Sequence, residues 1–346
     1  MRTSSARLLS LFAVNVVIVA CASSAGQTEA PASAASTHGT QAPTQTPTPS
    51  LTPSPTPTPM PFATAPATPL PSTFPVGRGV LGLAETDGSV WAAAYWDGVL
   101  ARIDPANREV VGHVTVGLGA IGVAVGAGSV WVTTHETNQV VRVDPQAASV
   151  LASVDVPTHP EGIAASDDAV WATSEGEGQL VRLDPATNKV VAMITVGQEP
   201  RHVGLGFDSV WVTNYGSGTV TRVDPATNKV IATIAADRGS EGICFAAGSV
   251  WVANVDTGTV TRIDPATNKV IATFLGGTLN EGLAAEGDEI WLAITGRGVV
   301  APIDPATNTV GEGTDTGRTP RRILFRPGEL WVSNTDDATI SVVPRR

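Results

Sequence analysis

Charged residues recur in this sequence at 40-residue intervals, a spacing that brings them together if each interval folds in the same way. The first position of interest carries two apolar and five charged residues: Leu81, Ile121, Glu161, Arg201, Glu241, Glu281 and Arg321. Carboxylates are hard oxygen ligands that suit Mg²⁺ or Ca²⁺, so Glu161, Glu241 and Glu281 are candidate metal ligands. The pattern also fits a site for a polar ligand, or a ring in which arginines and glutamates compensate one another.

The next position in each interval is glycine in five copies, but it is His202 and Arg322 in the other two. His202 and Glu241 are candidates for one base and one acid, although an isolated histidine is more often solvated or ion-paired than catalytic. The sequence contains no phosphate-binding loop, no His-Glu-x-x-His and no Gly-x-Ser-x-Gly motif. We therefore expect a binding site without a complete catalytic set, formed by Glu161, Arg201, His202, Glu241, Glu281 and Arg321.

Three further side chains fall close to these positions in the repeat, namely His159, Tyr215 and Trp96. Trp96 follows Tyr95 and precedes Asp97 in a segment that reads as an exposed turn. It suits stacking on a sugar or a peptide, or it covers the rim of the first repeat.

Seven tryptophans define the elements that must position these residues, and they stand 40 residues apart: Trp91, Trp131, Trp171, Trp211, Trp251, Trp291 and Trp331. A fixed period of this length is typical of a repeat architecture. The copy at 241–280 divides into four runs rich in Val, Ile and Thr, bounded by Gly, Asn, Asp or Pro, as expected for four β-strands. We predict an all-β, seven-bladed β-propeller with four antiparallel strands per blade of about 40 residues.

An Asp-Pro pair occurs in six copies and predicts the turn between the third and fourth strands, because Asp accepts backbone N–H bonds and Pro presets φ. These carboxylates would be held far apart, which disfavours a metal site. In the seventh copy the chain stops at Arg346, before a fourth strand. Because Val76-Gly77 matches Val116-Gly117 one period later, we expect a strand at 70–76 to complete the last blade.

The first 68 residues differ in character from the repeats. Arg2 and Arg7 precede an uncharged apolar run that ends in Ile18-Val19-Ala20-Cys21, which resembles the lipobox of bacterial lipoproteins. We predict a signal peptide at 1–20, lipidation of Cys21, a disordered Pro/Thr-rich tether at 21–68 and the propeller at 69–346. The expected location is extracytoplasmic, anchored to a bacterial membrane by the lipid.

Charge and cysteine content restrict the partners. The formal net charge of −11 becomes −13 when Arg2 and Arg7 leave with the signal, and a protein this acidic is repelled by phosphate backbones. Nucleic acid is therefore disfavoured. Cys244 is the only cysteine besides Cys21, so the domain has no internal disulfide. We expect a monomer that binds an unidentified protein or small polar ligand, with no cofactor except, at most, a divalent cation at the tunnel mouth.

Repeats such as the segment 209–234, SVWVTNYGSGTVTRVDPATNKVIATI, resemble the YVTN family of β-propeller repeats. The architecture also resembles streptogramin B lyases, which implies a metal-dependent lyase or lactonase that uses Mg²⁺, paired histidines and a glutamate. On that resemblance His202 and Glu241 are the alternative catalytic pair. A second histidine is missing, since Gly242, Cys244, Gly282 and Ala284 occupy the matching columns. We therefore favour a non-catalytic binding or interaction scaffold.

Overall fold

The computed structural model describes residues 72–86 and 88–345. The predicted signal peptide, the lipidation site at Cys21 and the tether at 21–68 lie outside these residues. Within them the chain forms 29 β-strands and a short 3₁₀ turn, and it has no helix long and apolar enough to cross a membrane.

The strands follow one another in groups of four, which we number β1 to β29 along the chain. Their bounds are β1 Ser72–Pro75; β2 Val80–Thr86, β3 Ser89–Ala94, β4 Val99–Asp104, β5 Glu109–Thr115; β6 Ala120–Gly126, β7 Ser129–Thr134, β8 Gln139–Asp144, β9 Ser149–Asp155; β10 Pro160–Ala165, β11 Val170–Ser174, β12 Gln179–Asp184, β13 Lys189–Thr195; β14 Pro200–Gly206, β15 Ser209–Asn214, β16 Thr219–Asp224, β17 Lys229–Ala235; β18 Ser240–Ala246, β19 Ser249–Asn254, β20 Thr259–Asp264, β21 Lys269–Leu275; β22 Asn280–Glu286, β23 Glu289–Ile294, the 3₁₀ turn Thr295–Arg297, β24 Val299–Asp304, β25 Thr309–Val310, β26 Thr314–Asp315; β27 Pro320–Arg326, β28 Glu329–Asn334 and β29 Thr339–Pro344.

These strands form seven separate antiparallel sheets in the described residues, each with neighbouring strands in sequence order except the last. The last sheet has the order β1-β29-β28-β27, so the first strand of the chain supplies the outer strand of blade 7. Phe74 pairs with Ile340 in that contact. The predicted seven-bladed, all-β propeller with four strands per blade is confirmed. We call the strands of a blade a to d, from the tunnel outward.

The repeated tryptophans lie in the b strands and are nearly excluded from solvent, where they contribute to the apolar contacts between neighbouring sheets. A repeated arginine from strand c covers the ring, as when the guanidinium of Arg182 lies 5.1 Å from the centroid of Trp171. The same group then donates to the next blade, to the Pro225 carbonyl at 2.8 Å and to Asn228 Oδ1 at 2.9 Å. We call this set of contacts the clasp: the strand c arginine covers the tryptophan of its own blade and donates to the proline carbonyl and the asparagine of the next blade. The clasp explains why Trp, Arg and Asp-Pro-Ala-Thr-Asn repeat together.

The Asp-Pro turns are built as the sequence indicates. Asp224 accepts the N–H of Ala226 at 2.8 Å and the hydroxyl of Thr227 at 2.8 Å. Asn228, four residues after Asp224, has a φ of 56°, a left-handed conformation that asparagine tolerates better than most residues. The repeated carboxylates therefore act in turns at separate blade corners.

Blade 6 departs from the other copies at its outer edge, where the d strand is split into the two-residue strands β25 and β26. Pro302 stands in strand c where blades 1 to 5 carry the clasp arginine. Proline has no N–H to donate to a neighbouring strand, and Gly311 and Gly313 interrupt the opposite segment. The regular ladder therefore breaks here.

Candidate functional site

A β-bulge in strand a brings two consecutive residues to the tunnel. In a regular strand neighbouring side chains point to opposite faces, but in blade 3 the register shifts between Pro160 and Ile163. The buried Thr173 of strand b fills the gap: it accepts the N–H of Gly162 at 2.8 Å and donates to the Arg201 carbonyl of the next blade at 2.9 Å. The bulge allows Glu161 and Gly162 both to line the central cavity.

The same bulge and the same hydroxyl contacts occur in blade 4, which carries the predicted site residues Arg201 and His202. In blade 4 the N–H of His202 donates to Thr213 Oγ1 at 3.0 Å, and Thr213 donates to the Glu241 carbonyl at 2.6 Å. Buried hydroxyls of strand b thus tie strand a of the next blade to blades 2, 3 and 4 at the level of the site. This fixes the backbone from which the charged side chains project.

All six residues predicted for the binding site lie near one end of the tunnel, and ion pairs across blades join the five other than His202, which we call the ring. Arg201 Nη1 lies 2.6 Å from Glu161 Oε2. Arg321 pairs with Glu281 and lies 3.9 Å from Glu241 Oε1. The three glutamates are almost fully buried, with exposed fractions of 2, 5 and 7% for Glu161, Glu241 and Glu281 respectively. Within the ring, two guanidinium groups therefore face three buried carboxyl groups.

Burial governs the protonation of this ring. Desolvation raises the pKa of Glu161 against the opposing effect of Arg201, and it raises the pKa of Glu281 to about 7 against that of Arg321. The charge of Glu161 raises the pKa of Arg201. At neutral pH the ring therefore holds arginines that stay charged beside a carboxyl that titrates.

The three candidate metal ligands face arginines. Within residues 72–86 and 88–345 no group of three His, Cys, Asp or Glu side chains is placed to hold a metal ion. Glu161 is engaged by Arg201 and Glu281 by Arg321, and a bound dication would have to displace these guanidinium groups. The residues at the mouth do not fit a metal centre in this arrangement.

His202 projects into the tunnel just below the ring. Its Nδ1 lies 3.0 Å from the carbonyl oxygen of Glu241, an acceptor that requires the proton to be on Nδ1. Burial, followed by the charge of Arg322, holds the pKa of His202 well below its ordinary value. The imidazole is therefore neutral, and its contact is with the backbone of Glu241 and not with the carboxylate.

A second group of polar side chains, absent from the predicted site, forms a wall beside the ring. Tyr95, His135, Glu175 and Tyr215 occupy one column of the repeat, four residues after the tryptophans of blades 1 to 4. Tyr95 Oη lies 3.3 Å from His135 Nδ1, and His135 Nε2 lies 3.4 Å from Glu175 Oε2. Glu175 Oε1 is 3.3 Å from Arg201 Nη2. The wall and the ring are thus one connected network.

The aromatic residues singled out in the sequence belong to this wall or border it. His159 stacks on His135 with ring centroids 4.6 Å apart and an interplanar angle of 11°. The guanidinium of Arg201 lies 5.1 Å from the ring centroid of Tyr215. Burial lowers the pKa of His135, but Glu175, Glu161 and Glu136 outweigh it and give a net rise. The carboxylates therefore favour the imidazolium.

Between the wall and the ring lies a cavity of about 330 Å³, which we call the mouth pocket. It is lined by Leu81, Tyr95, Trp96, Ile121, His135, Glu161, Glu175, Arg201, Arg321 and Thr335. Trp96 is 58% exposed, whereas the other seven tryptophans are buried. The pocket combines an aromatic face and two apolar side chains with fixed charges, as small-molecule sites commonly do.

The fold and this pocket define a seven-bladed β-propeller with a charged, aromatic-bordered cavity at one end of its tunnel. A family model for glutamine cyclotransferase matches residues 117–241, a segment of just over a third of the chain; it is this family, and not the YVTN repeat, that the comparison returns. No curated protein matches the sequence.

Solved structures with the same fold include hydrazine synthase from Kuenenia stuttgartiensis, at 16% identity and a TM-score of 0.69 over 82% of this chain and 98% of that one. Virginiamycin B lyase from Staphylococcus aureus matches at 15% identity and 0.70 over 80% and 99%. A streptogramin B lyase matches at 18% identity and 0.67 over 78% and 94%. At these identities the likeness establishes the propeller fold, which hosts unrelated activities.

Proposed function

We propose that this protein binds a small polar molecule in the mouth pocket and performs no chemistry on it. The observation that carries the proposal is the pairing of an exposed Trp96 with Arg201 and Arg321 around one cavity. The indole offers a flat surface for a planar or sugar ring, and the guanidinium groups offer fixed donors. We retain the lipid anchor at Cys21, and with it an extracytoplasmic location, as part of the proposal, on the sequence pattern alone.

Binding is favoured over catalysis because the acid and base candidates are already engaged. The neutral His202 is committed to a backbone carbonyl, and the carboxylate of Glu241 faces Arg321 and Arg322 at 3.9 and 4.0 Å. A general base must be free to reach the proton it removes. We expect neither Mg²⁺ nor a chelator to change the melting temperature of the full chain.

The binding proposal is tested by tryptophan fluorescence, because Trp96 is the exposed one of eight. Benzoate and nicotinamide serve as planar polar probes, titrated into the full-length protein. We expect a saturable change with at least one probe, lost in Trp96→Ala and weakened in Arg201→Met. The absence of any saturable change, or an equal change in Trp96→Ala, would contradict the proposal.

The alternative function, a metal-dependent lyase, is tested with a substrate of the lyases that share the fold. Virginiamycin B is incubated with the protein, with and without Mg²⁺, and ring opening is followed by mass spectrometry. We expect no turnover, because the described residues assemble no metal site. Metal-dependent turnover abolished by His202→Ala would replace the binding function with the lyase.

A second candidate function is glutamine cyclotransfer, favoured by one specific observation. The segment matched by that family model, 117–241, carries His135 and Glu175, whose contact at 3.4 Å resembles a histidine general acid oriented by a carboxylate. The test is a glutamine-terminated peptide, followed for loss of ammonia by mass spectrometry. Conversion that depends on both side chains would support this candidate, and its absence would leave binding alone.

A further inference from the structure

A second cavity, of about 130 Å³, lies inside the tunnel next to the mouth pocket, and Glu161 lines both. Glycines of strand a surround it, namely Gly82, Gly122, Gly162, Gly242 and Gly282. A Cβ atom at Gly162 would collide with the carbonyl of Arg201 in the next blade, so glycine is required for the close approach of neighbouring strands. In the other two blades His202 and Arg322 stand at the position of these glycines, and their side chains project into the cavity.

Arg322 has no adequate partner among the described residues. Its guanidinium donates no hydrogen bond to them, and Nη1 is buried without a partner. The nearest carboxylate oxygen, Glu241 Oε1, is 4.0 Å away and is shared with Arg321 at 3.9 Å. A cation taken out of water without hydrogen bonds is costly. Burial accordingly lowers the pKa of Arg322 against the carboxylates around it.

Among the described residues, Arg201 and Arg321 each have a carboxylate at hydrogen-bond distance, whereas Glu241, the carboxylate left for Arg322, lies 4.0 Å from Arg322 Nη1 and makes no hydrogen bond with it. Glu161 belongs to Arg201 and Glu281 to Arg321. His202 is neutral, with its Nδ1 proton directed to the Glu241 carbonyl. Besides glycine and aliphatic residues, Glu161, His202 and Arg322 line the cavity, which is large enough for a small ion or a carboxyl group together with water.

We propose that the tunnel cavity holds a carboxylate group, or a monovalent anion of similar size, with Arg322 as the residue that binds it. A planar guanidinium matches two carboxylate oxygens. The group belongs either to a free small acid or to a ligand whose remaining part occupies the mouth pocket. Only this second source rests on the proposed function, because a free anion reaches Arg322 whether or not the mouth pocket binds anything.

The repeats supply the variant for the test. Arg322→Gly installs the residue that five other blades carry at this position, and Arg322→Met keeps the volume without the charge. The melting temperature of the full-length protein is measured against sodium formate, with ionic strength held constant by a bulky sulfonate salt. We expect a saturable rise that is absent in both variants and unchanged in Arg238→Ala, a control whose side chain is 85% exposed. An equal rise in the Arg322 variants would overturn the proposal.

Benzoate distinguishes the two sources. If the carboxylate comes from a larger ligand, benzoate binds at least tenfold more tightly than formate, changes the fluorescence of Trp96, and loses affinity in Arg322→Gly. If the anion is free, formate alone stabilises the protein and Trp96 does not respond, which disfavours the mouth-pocket function but leaves the anion site intact. A crystal soaked in bromide gives a direct reading: anomalous density beside Arg322 is expected, and its absence would refute the site even if both variants failed to fold.

Discussion

Arg201 joins the two halves of the candidate site, because one guanidinium lies 2.6 Å from Glu161 Oε2 in the ring and 3.3 Å from Glu175 Oε1 in the wall. The face of the same group rests on Tyr215. This arginine therefore both shapes the mouth pocket and neutralises a carboxylate that water scarcely reaches.

The first prediction concerns that pair. Arg201→Met should lower the free energy of unfolding by about 3 kcal/mol, because removal of one partner leaves a buried charge uncompensated. The double variant Glu161→Leu with Arg201→Ile should recover most of the loss, since Leu81 and Ile121 occupy the same column in blades 1 and 2. Urea denaturation provides the measurement. A single variant as stable as the wild type would show that the pair is not what holds this part of the ring.

The second prediction concerns pH. Glu281 has a pKa of about 7 in the folded chain against 4.5 for the free side chain, so the folded state binds its proton more tightly. Its contribution to stability is complete below pH 4.5 and is lost as the pH rises towards 7. The charged groups around it are Arg321, Arg322, Glu241 and Glu161.

We therefore expect the urea midpoint to fall between about pH 5 and pH 8. Glu281→Gln should flatten that fall. The raised pKa values of Glu161 and His135 act in the same direction, and the lowered pKa of His202 acts against them below about pH 6.5. Parallel pH profiles for the wild type and the variant would argue against a titrating Glu281. The turn aspartates, whose pKa values are lowered, act only below this window.

The third prediction concerns blade 1, whose clasp arginine has no asparagine to bind in the next blade. Ala148 stands where the equivalent clasps carry Asn, 46 residues after Arg102, and its φ is 50°. Ala148→Asn should stabilise the protein by about 1 kcal/mol, because it suits the left-handed backbone and offers Arg102 the missing acceptor. Ala148→Gly is the matched control, as it relieves the backbone without adding an acceptor. Equal gains in both variants would assign the whole effect to the backbone.

The fourth prediction concerns closure of the ring. Phe74 of β1 packs edge-on against Trp331, with centroids 5.2 Å apart, so Phe74→Ala should cost about 3 kcal/mol. Val111→Ala, in the outer strand of blade 1 with 58% of the residue exposed, should change stability by less than about 0.5 kcal/mol. Deletion of 69–77 should lower the melting temperature further. An unchanged melting temperature after that deletion would mean that β1 does not stabilise blade 7.

Much of the fold could be predicted because the residues that shape a blade recur every 40 residues. Blades 1 to 5 each repeat the buried tryptophan, the arginine above it and the Asp-Pro turn, so period and strand number follow from one copy. Blade 6 is harder to predict, because Pro302 and the glycines opposite it break a ladder that the other copies make regular.

The candidate site was only partly visible in the sequence. The column that begins at Leu81 was found because its residues vary in charge from copy to copy. The wall of Tyr95, His135 and Glu175 was missed, although the variable column four residues after each tryptophan carries the same signal. The β-bulge that turns both Arg201 and His202 to the tunnel could not be predicted from the sequence, because it depends on how neighbouring blades pack. The choice of partner for each arginine likewise depends on side-chain conformations in the closed ring.

The most direct measurement is a crystal structure of the full-length protein soaked in the planar probe that gives the strongest Trp96 response. We predict density for the probe in the mouth pocket, with its ring against Trp96 and its polar group within hydrogen-bond distance of Arg201 or Arg321. Density for the probe only outside this pocket, or an empty pocket at a concentration that saturates the fluorescence change, would contradict the binding function proposed for this propeller.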